Sequence, residues 1–190
     1  MERRFFLALA MLLFSPLLKA TTPRKPTPTQ TEGPFYPVVA IPLREELITQ
    51  PDRVKGTPLT LHGRVVDTSG NPLSGIKVEI WQCDSQGIYA HPRQVNHDQF
   101  DPAFAGFGAT QTQADGRYQF HTLHPVPYGS RPPHIHVKLW RGKQELLTTQ
   151  LYLQGNTGNE WWGGSEREHL QFLPRETGNT MTGEFTFVLA

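Results

Sequence analysis

The chain has 190 residues, with 18 Lys or Arg against 17 Asp or Glu, so its formal net charge at neutral pH is +1. This length favours one domain with a real hydrophobic core. The balanced charge, without a basic stripe, argues against binding to nucleic acid or to an acidic membrane surface. Seventeen Gly and seventeen Pro are typical of a loop-rich β protein.

Residues 1–20 are predicted to be a signal peptide. Arg3 and Arg4 precede an apolar run over residues 5–18, and Lys19 and Ala20 follow it. The run is shorter than the about 20 residues that a membrane-spanning helix needs. A charged start, an apolar centre and a small residue at the end are typical of export signals. We therefore expect a periplasmic or secreted protein, exported either by the twin-arginine route or by an ordinary Sec signal that begins with two arginines.

A Pro/Thr-rich stretch over residues 21–31 lacks an apolar period and predicts an extended linker. Residues 32–190 are assigned to one domain. Cys83 is the only cysteine, so an intrachain disulfide is impossible. Because it follows a predicted strand beside Trp81, we expect a buried, unreactive thiol. A reactive or intermolecular thiol is the alternative.

Short strands separated by turn residues dominate the rest of the chain. The predicted strands cover residues 59–67, 76–81, 110–113, 117–123, 134–141, 145–153 and 184–189. Turns at 114–116 and 142–143 predict that the flanking strands form two hairpins. Residues 93–108 are predicted to be a long loop, and the capping-box spacing at 165–168 predicts one short helix. This pattern predicts an all-β fold, an antiparallel β-sandwich with long loops and little helix.

Two histidines and two tyrosines form a pattern typical of a metal site. His134 and His136 begin a predicted strand, Tyr128 lies just before them, and Tyr89 lies upstream. Residues two apart on a strand share a face, so both imidazoles can reach one ion. Free Tyr has a pKa of about 10, so only a strongly Lewis-acidic, oxygen-preferring cation keeps two phenols deprotonated near neutral pH. The set favours ferric iron over zinc. Two structural histidines remain the alternative for the pair alone.

Five ordered motifs resemble those of the intradiol ring-cleaving catechol dioxygenases, especially the protocatechuate 3,4-dioxygenase branch. They are TEGPFYP at 31–37, GIYAH at 87–91, PVPY at 125–128, RPPHIH at 131–136 and QLYLQG at 150–155. The resemblance covers roughly residues 31–155. It implies a mononuclear, non-haem Fe(III) held by Tyr89, Tyr128, His134 and His136, with a hydroxide as fifth ligand. Tyr128 would be the axial phenolate that leaves when substrate binds.

The same resemblance implies an activity: cleavage of a catechol-type ring with O2, between its two hydroxyl-bearing carbons, to a cis,cis-muconate-type diacid. Arg131 would lie over the substrate and stabilise negative charge on the ring. The alternative is a salt bridge that braces the loop. Gln150 matches a glutamine that neighbours the same pocket, and a strand-edge hydrogen bond is the alternative. A homo-oligomer is expected only by analogy with the family.

Several features leave the function open. Only residues 129–133 separate Tyr128 from His134, fewer than in the familiar cytosolic enzymes, so we expect a more open pocket. His91 is predicted to lie at the surface, with a place beside the metal ligands as the alternative. Trp161 and Trp162 either line a pocket or cap the core. The strand pattern at 61–75 and 114–120 also resembles transthyretin-like or carboxypeptidase-regulatory binding modules, which have no catalytic activity. A zinc or copper binding protein is a third possibility.

Overall fold

The computed structural model describes residues 22–155 and 165–190, and the regular structure there consists almost entirely of strands. The strands are β1 (Pro58–Asp67), β2 (Lys77–Trp81), β3 (Phe107–Gln111), β4 (Arg117–Leu123), β5 (His134–Arg141), β6 (Gln144–Leu153), β7 (Gln171–Phe172), β8 (Arg175–Thr177) and β9 (Thr180–Leu189). Short 3-10 helices cover His97–Gln99 and Ser165–Leu170. The second of these includes the predicted short helix. No helix within the described residues is long and apolar enough to cross a membrane.

The strands form two sheets, in the orders β4-β1-β9-β8 and β3-β2-β5-β6-β7. The predicted all-β sandwich is therefore confirmed. Most strand pairs are antiparallel as predicted, but β1 with β9 and β6 with β7 are parallel. Both sheets are thus mixed. The parallel pairs join strands distant in the sequence, and nothing in the local turn residues specifies them.

The core lies between the two sheets. Alternate residues of each strand point inward, so that Leu61, Phe120 and Phe187 of the first sheet meet Ile80 and Val137 of the second. All five side chains are fully buried. Burial of each such side chain stabilises the fold by about 1.5–3 kcal/mol relative to its exposure to water.

The predicted hairpin of residues 110–113 with 117–123 is wrong, although its turn exists. The amide of Gln113 donates to the carbonyl oxygen of Arg117 at 3.1 Å, which closes the turn. Beyond that bond the chain crosses between sheets, because β3 pairs with β2 and β4 pairs with β1. A turn signal is local, whereas each strand's partner is decided by which open sheet edge its apolar face can join.

Strand β5 is buried on both faces, which is unusual for an alternating strand. Ile135, Val137 and Leu139 point into the core, so His134, His136 and Lys138 lie on the outer face of the five-stranded sheet. These outer residues are also buried. Their cover includes residues 28–36, here called the N-terminal strap. The predicted metal site therefore lies beneath the strap, outside the main core.

The described part of the predicted linker, residues 22–31, contains no helix or strand, yet it is hydrogen-bonded to the sandwich. The amide of Arg24 donates to Thr68 at 2.7 Å, and the amide of Thr27 donates to Val188 at 2.9 Å. Residues 22–31 therefore run along the domain. The predicted signal peptide at 1–20 lies outside the described residues.

Candidate metal centre

The two histidines of β5 point at the same place. Alternation along the strand brings Nε2 of His134 to 3.1 Å from Nε2 of His136. The Nδ1 atom of His134 lies 2.6 Å from the carbonyl oxygen of Pro132. Because a carbonyl oxygen only accepts hydrogen bonds, Nδ1 carries the proton and Nε2 presents its lone pair. This is the arrangement that a metal-binding histidine needs.

The ring of His136 is positioned by aromatic stacking. Its ring stacks on that of Trp81, with centroids 4.8 Å apart and planes 9° apart. Among the described residues its buried Nδ1 has no hydrogen-bond partner. Burial lowers the pKa of His134 to about 4 and lowers that of His136 well below its ordinary value. Both rings are therefore neutral at pH 7, the form that binds metals.

Tyr89 is brought to the histidines by a loop organised around a buried carboxylate. Asp84 accepts hydrogen bonds from the amides of Gln86 at 2.9 Å and Ile88 at 3.0 Å. The next residue, Tyr89, is only 3% exposed. Its hydroxyl oxygen lies 3.3 Å from Nε2 of His134. Three atoms able to bind a metal therefore converge, one from each histidine and one from this tyrosine.

Tyr128 lies beside this group on a tight turn. Its carbonyl accepts a hydrogen bond from the amide of Arg131 at 2.8 Å, and its amide donates to the Arg131 carbonyl at 3.2 Å. The ring meets the ring of Tyr89 edge-on at 5.3 Å. Unlike Tyr89, Tyr128 is only half-buried. The short spacing before His134 thus forms a closed turn that places Tyr128 and Arg131 together.

The donor set suits ferric iron. Among the residues described, no group of three or more His, Cys, Asp or Glu side chains is arranged to hold a metal. The side chains found beside the histidine pair are instead the phenols of Tyr89 and Tyr128. Burial raises the pKa of Tyr89 well above its ordinary value, so the phenol keeps its proton unless a strongly charged ion displaces it. That requirement favours a trivalent, oxygen-preferring cation.

Arg131 and Gln150 belong to one hydrogen-bond network. Nη2 of Arg131 donates to Oε1 of Gln150 at 2.7 Å, and the same oxygen accepts a hydrogen bond from the Tyr152 hydroxyl at 2.8 Å. In the described part of the chain the guanidinium forms no salt bridge with a carboxylate. Gln150 is fully buried and pairs across the sheet with His136, which places it beside the histidine pair.

Sequence reasoning gave no role to several residues of this region. Tyr152 is fully buried and its ring centroid lies 6.2 Å from that of His134. Phe35 stacks on Tyr89 at 4.8 Å. Both occur in the quoted motifs, and the alternation Gln150, Tyr152 on one strand was a signal that could have identified the tyrosine. Phe35 offered no such signal, because only the fold brings it to the site.

The prediction that His91 lies at the surface is wrong. Its side chain is 3% exposed and its ring centroid lies 5.5 Å from that of Phe35. Nδ1 accepts a hydrogen bond from the amide of Arg93 at 3.1 Å, and the ring also bonds to the backbone of Tyr36. His91 therefore anchors the strap beside the cluster. Cys83 is buried as predicted, and Trp161 and Trp162 lie outside the described residues.

Comparison with known proteins gives one consistent family. A family model described as Dioxygenase matches residues 31–159. Catechol 1,2-dioxygenase 1 of Acinetobacter lwoffii is 33% identical over 156 residues, which cover 68% of this chain and 47% of the relative. The protocatechuate 3,4-dioxygenase beta chain of Burkholderia cepacia is 37% identical over 109 residues, covering 53% of this chain and 46% of the relative. The chain thus spans about half the length of these curated relatives.

Solved structures agree with this result. The dioxygenase domain of a dioxygenase carbohydrate-binding protein fusion from Streptomyces sp. SirexAA-E has a TM-score of 0.71 and 34% identity, covering 87% of this chain and 98% of that chain. An intradiol ring-cleavage dioxygenase from Tetranychus urticae has a TM-score of 0.72 at 22% identity, which supports the fold alone. The chain belongs to the family of intradiol ring-cleaving catechol dioxygenases.

Proposed function

We propose that this protein is an Fe(III)-dependent intradiol dioxygenase that cleaves a catechol-type ring with O2 to a cis,cis-muconate-type diacid. One observation carries the proposal. Nε2 of His134, Nε2 of His136 and the hydroxyl oxygen of Tyr89 converge within hydrogen-bonding distance, beside the ring of Tyr128. Family membership supplies the reaction class that suits this donor set.

Tyr89, Tyr128, His134 and His136 are the residues that would hold the iron. When bound, Fe(III) would act as a Lewis acid that keeps phenols and a catechol deprotonated and makes the aromatic ring reactive toward O2. The protein prepares two of these ligands in advance, because burial keeps both imidazoles neutral at pH 7. The Pro132 carbonyl fixes the tautomer of His134 by accepting from Nδ1.

The two tyrosines have different environments, which suits different roles. Tyr89 is buried, and its hydroxyl is already within hydrogen-bonding distance of His134. Tyr128 is half-exposed on its turn, so its ring has room to move. A catechol must lose two protons to bind as a dianion. We assign one of them to Tyr128: its oxygen, a phenolate in the iron-loaded site, would accept the proton and become a neutral phenol. Tyr89 is assigned a permanent ligand role.

Arg131 is assigned to the substrate. Gln150 and Tyr152 hold one end of its guanidinium, while its buried Nε has no hydrogen-bond partner among the described residues. A guanidinium stays charged at every relevant pH and offers planar donors. These properties suit stabilisation of negative charge that develops on the ring. Gln150 then serves to orient Arg131, and its own Nε2 donates to the Thr31 carbonyl at 2.7 Å.

The alternative function, a non-catalytic binding module, does not account for this cluster of side chains. A transthyretin-like or carboxypeptidase-regulatory sandwich needs neither a convergent histidine pair nor buried phenols beside it. A zinc or copper site would not require a phenol ligand either. The proposal is tested by incubating the iron-loaded protein with catechols and O2. Consumption of one O2 for each diacid formed supports it, and catechol turnover without ring cleavage contradicts it.

A further inference from the structure

The strap crosses the outer face of the five-stranded sheet and is bonded to it at successive strands. The strap first passes the edge of β6, where β7 pairs only with Tyr152 and Leu153. There the amide of Gln30 donates to the Thr148 carbonyl at 2.9 Å, and the hydroxyl of Thr149 donates to the Pro28 carbonyl at 2.7 Å. Gln150 adds its bond to the Thr31 carbonyl. Beyond these bonds the strap continues over β5 and β2. Such regular attachment is typical of a fixed structural element.

Buried charges hold the middle of the strap. Lys138, on the outer face of β5, pairs with Glu32 of the strap and lies 3.4 Å from Glu145. Its Nζ also lies 4.0 Å from the centre of the Tyr36 ring. Lys138 is only 4% exposed. Burial of an ammonium group costs free energy unless the group is paired with an opposite charge. Glu32 of the strap supplies such a charge to Lys138.

A second buried charge holds the end of the strap. Glu79 of β2 accepts hydrogen bonds from the Tyr36 hydroxyl at 2.9 Å, from Trp140 at 2.8 Å and from Lys77 at 2.6 Å. The carboxylate is 3% exposed. Tyr36 therefore links the strap to the same strand that carries Trp81, the ring stacked on His136.

Between these two attachments, the strap contacts the metal-binding side chains directly. Gly33 adopts φ +76, and a Cβ atom there would lie 3.3 Å from Cε1 of His136. Phe35 stacks on Tyr89 at 4.8 Å and meets Tyr128 edge-on at 5.4 Å. One short segment thus bounds three of the four proposed ligands.

We propose that the strap is a positioning element for the metal centre, held by Glu32–Lys138 and Tyr36–Glu79. This inference rests on the proposed iron site and adds a role to residues outside the four proposed ligands. Gly33 and Phe35 fix the orientations of His136 and the two phenol rings. Tyr36 and Glu32 keep Gly33 and Phe35 in place.

A matched pair of glycine substitutions tests the contact with His136. Gly33→Ala and Gly75→Ala both place a side chain at a positive φ, +76 and +72, but nothing lies within 4 Å of the added Cβ at Gly75. The two variants share the backbone strain and differ in the ligand contact. We expect Gly33→Ala to weaken iron affinity about tenfold or more, as typical for groups that orient a metal ligand. Its visible absorption band should also shift, whereas Gly75→Ala should match the wild type.

A matched pair of tyrosine substitutions tests the attachment. Tyr36→Phe removes the hydroxyl bonded to Glu79, and Tyr118→Phe removes a hydroxyl that donates to Phe185 at 2.9 Å in the other sheet. In the metal-free protein, amide hydrogen exchange over residues 28–36 should be about tenfold faster in Tyr36→Phe, the effect of one lost hydrogen bond to a charged group. Tyr118→Phe should leave exchange of the strap unchanged.

The outcomes separate this inference from the function on which it rests. A wild type that binds no iron contradicts the proposed function, whatever the strap does. If the wild type binds iron, but Gly33→Ala and Gly75→Ala have the same iron affinity and the same spectrum, the positioning role of the strap is contradicted and the proposed function is not. Equal strap exchange in Tyr36→Phe and Tyr118→Phe also contradicts the positioning role.

Discussion

Arg131 is the single residue whose role the network around it defines most sharply. The side chains that bond to its guanidinium, Gln150 and Tyr152, are neutral, so the positive charge remains available to a bound anion. We expect Arg131→Ala to lower turnover per bound iron by about 10² to 10³, the usual effect of removing one charge-stabilising donor. Iron and catechol binding should change little. Arg131→Lys should restore little activity, because a point charge does not reproduce the planar contact.

Turnover per iron and melting temperature, measured together, decide the role of Arg131. If the residue only braces its turn, iron content and thermal stability will fall while activity per bound iron stays near that of the wild type. That result would end the catalytic assignment of Arg131.

Cys83 is expected to be unreactive in the folded protein. The thiol is 2% exposed, and burial raises its pKa to about 12. Only the thiolate reacts rapidly with alkylating reagents, and at pH 8 the buried thiol is protonated. At pH 8 we expect no labelling of the folded protein and complete labelling in denaturant. Rapid labelling of the native protein would contradict this expectation, because it would show that the thiol of Cys83 is accessible to solvent.

At the scale of elements, one face of β5 packs in the core and the other face carries the two proposed histidine ligands. Leu139 points into the core and is fully buried, whereas His134 and His136 point away from it. We expect Leu139→Ala to lower the free energy of unfolding by about 2–5 kcal/mol in urea titrations. Iron bound per folded molecule should not change, because the lost methyl groups lie on the opposite face. A loss of iron at full folding would show that the two faces are coupled.

Some elements could be predicted from the sequence and others could not. The alternation of residues 134–141 predicted β5 and the shared face of its histidines, because a period of two is a local property. The partners of β3 and β4 could not be predicted, since pairing depends on edges far away in the sequence. The ordered conformation of the strap could not be predicted from the sequence either. Its residues show no period, and their order arises from contacts with Lys138, Glu79 and His91.

At the scale of the whole molecule, the described N-terminal residues belong to the fold. Bonds from Arg24 and Thr27 join the start of this segment to the sandwich before the strap begins. The all-β class was predictable from turn spacing and composition. The types of the proposed metal ligands followed from the chemistry of phenol and imidazole. The enclosure of the site was not predictable, because it depends on how residues 22–36 wrap around the finished sheet.

Export remains a prediction about the whole chain. The layout of residues 1–20 leads us to expect a mature protein that begins near Thr21, just before the first residues bonded to the fold. Cleavage there would leave the strap intact. N-terminal sequencing of protein from the periplasm or medium tests this. Soluble cytosolic protein that retains Met1 would contradict the proposed export.

The most direct test of the account is the visible absorption spectrum of the iron-reconstituted protein. We predict one ferric ion per chain and a red-brown colour, since a phenolate bound to Fe(III) absorbs visible light. Tyr89→Phe should weaken the band and the retention of iron, because a neutral ring cannot replace an anionic ligand. Tyr118→Phe removes a buried phenol from the opposite sheet and should leave both unchanged. A colourless wild type that retains no iron after reconstitution would contradict the central claim.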